Sequence, residues 1–198
     1  SKRRKEEAVK LAKAIEKEIR NLRMAEARFE IVFKGGDEKA AETYHQKGMD
    51  YVEFYLTTNV GEDMKPLNRI ASGGELSRII LAMKKVLASV GAVDTIIFDE
   101  VDSGIGGATA QVVGEKIRDV AGHHQVLCIT HLPQIASYAD RHYRVSKAVS
   151  GKRTNTRVEV LSDEERLEEI ARMLGGVDVT EVTRKHAREM LAGAKRKK

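Results

Sequence analysis

The sequence predicts an α/β fold: a largely parallel sheet flanked by helices, preceded by an N-terminal helix of coiled-coil type. Two apolar runs, Thr95–Phe98 and Val126–Ile129, are too short for helices and alternate with helix-patterned segments, the arrangement of a parallel sheet covered on both faces. The stretch before residue 28 carries a narrow apolar stripe, Leu11, Ile15, Ile19 and Leu22, inside a dense field of Lys, Arg and Glu. Such a stripe fits one strand of a coiled coil better than a core helix, which presents a wider face.

At Phe29 the period changes from helical to alternating. Phe29, Ile31 and Phe33 predict a strand, and Gly35-Gly36-Asp37 turns it. Tyr51 to Thr58, rich in aromatic and β-branched residues, predicts a second strand, followed by a loop from Gly61 to Pro66. Residues 74 to 90 form a helix through Leu76, Ile79, Ile80, Met83, Val86 and Leu87. The strand at 95–98 runs into Asp99-Glu100, a glycine-rich turn at 103–107 feeds a helix to about residue 120, and the strand at 126–129 follows. Segments near 141–147 and 156–161 predict edge strands. Ser162 with Glu165 starts a helix through a capping box, Gly175-Gly176 ends it, and a last helix runs from about Thr180 to Ala192.

With 198 residues the chain is long enough to bury a real core, and 33% charged residues describe a heavily charged surface. The lone cysteine, Cys128, excludes an internal disulfide and points to a reducing compartment. No apolar run reaches the length of a membrane span. The formal charge of +5 permits nucleic-acid contact without requiring it. Basic runs at both ends, Lys2-Arg3-Arg4-Lys5 and Lys195-Arg196-Lys197-Lys198, read as solvated termini. The chain opens on Ser1 rather than Met and reads as a piece of a longer protein.

Four short stretches carry chemistry. Ser72-Gly73-Gly74-Glu75 opens the helix at 74–90. Ser72 and Glu75 make a capping box, but two glycines in a first turn cost about 1 kcal/mol each against alanine. Their presence fits a phosphate approaching the bare N–H groups at the positive end of the helix. Asp99-Glu100 places two carboxylates at the carboxyl end of a parallel strand, where open α/β sheets bind ligands. Neighbouring strand residues point opposite ways, so one acid can hold Mg²⁺ through water while the other serves as base for an attacking water. Asp102-Ser103-Gly104-Ile105-Gly106-Gly107 follows at once, and by itself reads as a flexible turn. His131, after the strand at 126–129, leaves the same sheet edge, within reach of a terminal phosphate. His123-His124 has no comparable placement.

In this order and spacing the stretches resemble the signature motif, Walker B, D-loop and switch histidine of an ABC-type ATPase head, so the fold would be the C-terminal lobe of such a head. The run Pro66-Leu67-Asn68-Arg69-Ile70-Ala71-Ser72-Gly73-Gly74-Glu75-Leu76-Ser77-Arg78 is similar to the RecN family, bacterial DNA-repair proteins related to the structural-maintenance-of-chromosomes (SMC) group. So are His131 through Ala136 and Val158 through Gly176. Ala71 and Glu75 stand where transporters more often carry Leu and Gln, which favours the chromosome-maintenance branch. By this resemblance Ser72, Gly73 and Gly74 contact the nucleotide of a paired head. Asp99 is the Mg²⁺-associated acid, Glu100 the general base, Asp102 the D-loop acid and His131 the switch histidine. The resemblance further implies ATP and Mg²⁺ as cofactors. It implies as partners an N-terminal half of the same head, a second head in an ATP-dependent homodimer, and DNA, in the bacterial cytoplasm near the nucleoid. Residues 1–28 would end a returning coiled-coil helix, and 29–198 would form the head half.

No G-x-x-x-x-G-K-[ST] loop occurs; Gly151-Lys152-Arg153 lacks the hydroxyl residue after Lys. Without that nest of N–H groups the chain alone is expected to be inactive. The competing reading is a non-catalytic coiled-coil and DNA-binding module that has lost nucleotide chemistry. It leaves the clustering of Asp99, Glu100 and His131 unexplained. A transporter's nucleotide-binding subunit is a third reading, which the lack of a P-loop and the presence of a coiled-coil stripe disfavour.

Overall fold

The structure is a computed structural model that describes residues 1–35, 46, 48–59, 61–70, 72–88, 90, 93–150, 153–176 and 178–196. Most of the turn expected at Gly35-Gly36-Asp37, Ala71 of the signature-like run, and Gly151-Lys152 lie outside the described residues. The chain forms two compact units, residues 1–104 with 119–129, and residues 105–118 with 130–198.

In the first unit, helix α1 (Lys2–Asn21) packs against strand β1 (Arg28–Gly35) and helix α2 (Gly73–Val86). Ile15, Ile19 and, one residue past the helix, Leu22 are completely or almost completely buried. The C-terminal half of the stripe is therefore used in the unit's own core. Leu11 is only half-buried, and Val9 is exposed. Strand β2 (Asp50–Thr57) pairs antiparallel with β1, and the Phe29 and Phe54 rings sit 5.6 Å apart. A two-residue strand β3 (Lys65–Pro66) adds antiparallel to β2, inside the segment expected to be a loop. Pro66 fits there because an edge position requires no backbone donor.

Helix α2 buries Ile79, Leu81 and Ala82, and it ends at Val86 rather than at 90. Strands β4 (Thr95–Phe98) and β5 (Gln125–Cys128) form the expected parallel pair, with Phe98 opposite Cys128. The other two sheets are antiparallel, because their strands are neighbours in sequence. Full cover of the parallel pair is not what this chain provides: Ile96 and Phe98 are buried, whereas Ile97, Leu127 and the following Ile129 are 65%, 48% and 61% exposed.

The second unit takes residues 107–118 of helix α3 (Gly107–Ala121), helix α4 (Pro133–Ala136), strands β6 (Tyr143–Ser150) and β7 (Arg153–Val160), and helices α5 (Asp163–Gly175) and α6 (Glu181–Arg196). The edge strands expected near 141–147 and 156–161 are the two arms of one antiparallel hairpin, β6–β7. α4 was not legible as a helix, being one turn long. Its core joins Ala136, Ile170, Ala171 and Ala187, flanked by Leu167 and Leu191. α5 starts with the full reciprocal capping box of Ser162 and Glu165 and ends at Gly176, whose φ of 72° suits glycine. The buried Arg166 guanidinium donates to the Ser137 carbonyl at 2.9 Å, which ties α5 to the end of α4.

Two groups of this unit give it an acid-sensitive stability. Burial, helped by the Arg166 charge, holds His142 below its ordinary 6.5, and its Nδ1 has no hydrogen-bond partner among the described residues. Glu169 is held below its ordinary 4.5, first by two hydrogen bonds from Arg172 at 3.0 and 2.6 Å. Both pKa values are depressed, so the unfolded chain binds these protons at higher pH than the native chain. Stability is therefore full above pH 6.5, falls as His142 is forced to protonate, and falls again below 4.5 as Glu169 follows. A thermal-unfolding midpoint measured against pH should decline from pH 6.5 downward, and His142→Gln should flatten the first part of the decline. A midpoint constant from neutrality to pH 4.5 would contradict this account.

Candidate functional site

The site grows from the carboxyl end of β4. After Phe98 the chain leaves the sheet. The Asp99 carboxylate accepts the Glu100 N–H through Oδ1 at 3.0 Å, and the Glu100 carbonyl accepts the Ser103 N–H at 3.0 Å. The result is a tight turn in which Val101 and Asp102 are buried while the Asp99 and Glu100 side chains stay exposed. Glu100 itself has φ of 56°, the left-handed region that a residue with a long side chain seldom adopts.

The mouth of α2 lies against this turn. Ser72 is exposed, and its Oγ accepts the Glu75 N–H at 3.4 Å. Only this half of the expected capping box is present; the reciprocal Glu75 contact is not among the described ones. The two glycines have different tasks. A Cβ on Gly73 would lie 2.5 Å from Oε2 of Glu100, so the carboxylate sits over the first residue of the helix. A Cβ on Gly74 would lie 2.8 Å from both the Cβ and the carbonyl oxygen of Ser103. Gly74 is thus demanded by the chain's own close approach, not only by an incoming ligand. Close approach of the turn is a second reason for glycine here, beside the ligand access expected from the sequence.

Two side chains of α2 hold the turn. Ser77 donates to the Asp99 carbonyl at 2.9 Å, and buried Arg78 donates through Nη1 to the carbonyls of Ser103 at 2.9 Å and Val101 at 3.4 Å. The pair is inconspicuous in the sequence, since an Arg in an amphipathic helix ordinarily reads as surface. The usable signal was Arg78 standing directly before Ile79 and Ile80 on a helix whose other cations come later. Next to the site, burial first, then Asp102 and Asp99, push the Cys128 thiol up to about 12. It stays protonated near neutrality and is no nucleophile.

Beside Ser72 opens a cavity of about 210 Å³ whose lining mixes apolar residues, Leu56 and Ile70, with polar and charged ones that include Lys65, Arg69 and Glu75. No cluster of three or more metal-binding side chains occurs among the described residues. Asp99 nonetheless fits Mg²⁺ as a lone water-mediated ligand: one carboxylate oxygen is taken by the Glu100 N–H and the other is left for a hydrated ion. Ser72, Gly73, Gly74, Asp99, Glu100 and Asp102 all belong to the first unit, in which Gly73 lies against the Glu100 carboxylate and Gly74 against the turn at Glu100 and Ser103. His131 is exposed, falls in the second unit, and follows the last residue of β5 by three positions along the chain.

No known family profile matches the chain. Curated relatives named DNA repair protein RecN do. The protein of Halalkalibacterium halodurans is 48% identical over 188 residues, covering 95% of this chain and 33% of its own length. That of Bacillus subtilis is 45% identical, covering 96% and 35%, and that of Deinococcus radiodurans 45% identical, covering 96% and 32%. The chain thus spans about a third of the length of the curated relatives it matches. Among solved structures, the Smc head domain with coiled coil and joint from Pyrococcus yayanosii aligns with a TM-score of 0.56 at 20% identity, over 84% of this chain and 29% of that one. An Smc head bound to the C-winged helix domain of ScpA aligns with a TM-score of 0.52 at 18% identity, over 82% and 44%. A chain described in terms of ATP-driven dimerization and DNA stimulated activation of SMC ATPases aligns with a TM-score of 0.50 at 16% identity, over 88% and 96%. At such identities these likenesses carry the fold. No helix among the described residues is long and apolar enough to cross a membrane.

Proposed function

From a chain that is RecN-like over nearly its whole length and folds as a lobe of an SMC-type head, we propose a DNA-repair ATPase in which this chain supplies one half of each head. The observation that carries the reading is the seat of Glu100. A carboxylate at the end of a parallel strand lies on the N-terminal residue of a helix opened by Ser72-Gly73-Gly74, so a base and an anion-binding helix mouth meet at one point. Glu100 accepts the proton of the attacking water, and Asp99 holds Mg²⁺ through water. Bound Mg²⁺ neutralises charge developing on the phosphates. Ser72 and the first N–H groups of α2 receive the phosphate of a nucleotide held by a second head. Asp102, as the D-loop acid, takes part in binding the nucleotide, and His131 senses the terminal phosphate.

The phosphate cradle comes from the N-terminal half of the same head, which also covers Ile97, Leu127 and Ile129. Three large aliphatic side chains on one face of a parallel pair are an ordinary buried surface awaiting its other layer. Residues 1–28 end a returning coiled-coil helix whose free turns, around Val9 and Leu11, meet its partner. ATP-driven pairing of heads is coupled to DNA, in the cytoplasm at the nucleoid.

Mixing this chain with the N-terminal portion of its polypeptide and measuring phosphate release tests the reading. Turnover absent from either piece and present in the mixture is expected. No gain on mixing, together with DNA binding indifferent to ATP in the intact protein, would favour a module without nucleotide chemistry.

A further inference from the structure

The acid-bearing turn at 99–103 hangs from the helix that opens with Ser72. Three backbone carbonyls of the turn are held by two consecutive residues of α2. Asp99 O accepts from Ser77 Oγ at 2.9 Å, while Ser103 O and Val101 O accept from Arg78 Nη1 at 2.9 and 3.4 Å. Arg78 is 7% exposed, so its guanidinium has left water for these carbonyls, and the charge of Glu75, three residues earlier on α2, offsets only part of that burial. Burying a cation chiefly against carbonyl dipoles is an expensive way to fix a turn, and a hydrophobic residue would serve stability at least as well. What the long guanidinium side chain adds is geometry, since the two N–H bonds of Nη1 fix two acceptors relative to one helix.

We propose that Arg78, assisted by Ser77, is a positioning residue that makes the pose of Glu100 follow the mouth of α2. This rests on the reading of Glu100 as the base. Gly74 completes the coupling from the other side, because its bare Cα lets the Ser103 carbonyl come close enough for Arg78 to reach it. The residues that meet one nucleotide and the carboxylate that hydrolyses another are thereby mechanically one body. A shift of α2 moves the turn with it.

The experiment uses the full-length protein containing this chain, with Ser77→Ala, Arg78→Lys and Arg78→Ala beside the parent and Glu100→Gln. Steady-state ATP hydrolysis and amide hydrogen exchange at residues 101–104 are measured on each. Lys keeps the charge and several donors, but its shorter side chain ends short of the place that Nη1 takes between the two carbonyls. Arg78→Ala should therefore lose about tenfold to a hundredfold in kcat, the scale of a misplacement near 1 Å, and Arg78→Lys less than that. KM should stay within about twofold, since ground-state binding is untouched. Exchange at 101–104 should speed up in all three variants, with Ser77→Ala the mildest. A folded Arg78→Ala with parental kcat and parental exchange overturns the proposal. A lower Tm with unchanged kcat per folded molecule assigns Arg78 to stability alone and likewise overturns it. Should the Arg78 variants fail to fold, Ser77→Ala decides on the same two readouts. If the parent shows no turnover, or Glu100→Gln keeps it, the proposed function fails instead. The exchange measurement then stands by itself: unchanged protection overturns the tether, and faster exchange keeps it.

Discussion

Glu100→Gln in the intact protein should lower ATP turnover by about 10² to 10⁴-fold, the range a positioned general base contributes. The change is isosteric and leaves the backbone at φ of 56°, so the turn and the α2 mouth keep their shape. ATP-dependent pairing of heads should persist or lengthen, because only proton acceptance is lost. Two measurements check this: phosphate release, and size by light scattering in the presence of ATP. Turnover within a few-fold of the parent would remove Glu100 from the role of base. Loss of pairing together with turnover would make its carboxylate a binding group.

The second large effect separates two adjacent glycines. Gly74→Ala should destabilise the fold by about 1–3 kcal/mol, the usual cost of overpacking. The added methyl meets the Ser103 carbonyl oxygen at 2.8 Å and the Glu100 carbonyl oxygen at 3.2 Å, backbone atoms that cannot step aside. For a chain of this size that is roughly 2–4 °C in Tm per kcal/mol. Gly73→Ala meets only the far end of the Glu100 side chain, its Oε2 at 2.5 Å, which can rotate away. Its Tm should stay near the parent's, while hydrolysis falls because the carboxylate has been pushed from the helix mouth. Equal Tm losses in both variants would mean that Glu100 is wedged rather than mobile. A parental Tm for Gly74→Ala would mean that the turn can retreat from α2.

Much of this was legible beforehand because local chemistry was unambiguous. Ser162, Glu165 and Gly176 fix the ends of α5 through local side-chain and backbone hydrogen bonds that depend on nothing distant. Thr95 to Glu100 reads as a strand ending in acids because four apolar residues are too few for a helix. What escaped the sequence depends on tertiary approach. β3 exists only because β2 offers its edge to Lys65 and Pro66. The role of Gly74 is set by Ser103, which is distant in sequence, and Arg78 is buried because carbonyls of the turn wait for it. The stripe of α1 reads as a coiled-coil seam rather than a core face, yet Ile15 and Ile19 are buried in the unit's own core, because periodicity marks a face for burial without naming what buries it. Nor can an apolar strand say that its second face will be left open, as Ile97 and Leu127 show.

A glutamate at φ of 56° is a poor choice thermodynamically. Glycine there would cost no steric penalty, and asparagine or aspartate little, where an ordinary L-residue gives up roughly 1–2 kcal/mol. A more robust position 100 would therefore lose the carboxylate or, with aspartate, draw it back from the first residue of α2. On the proposed role of Glu100 as base, durability and reactivity pull that one torsion in opposite directions.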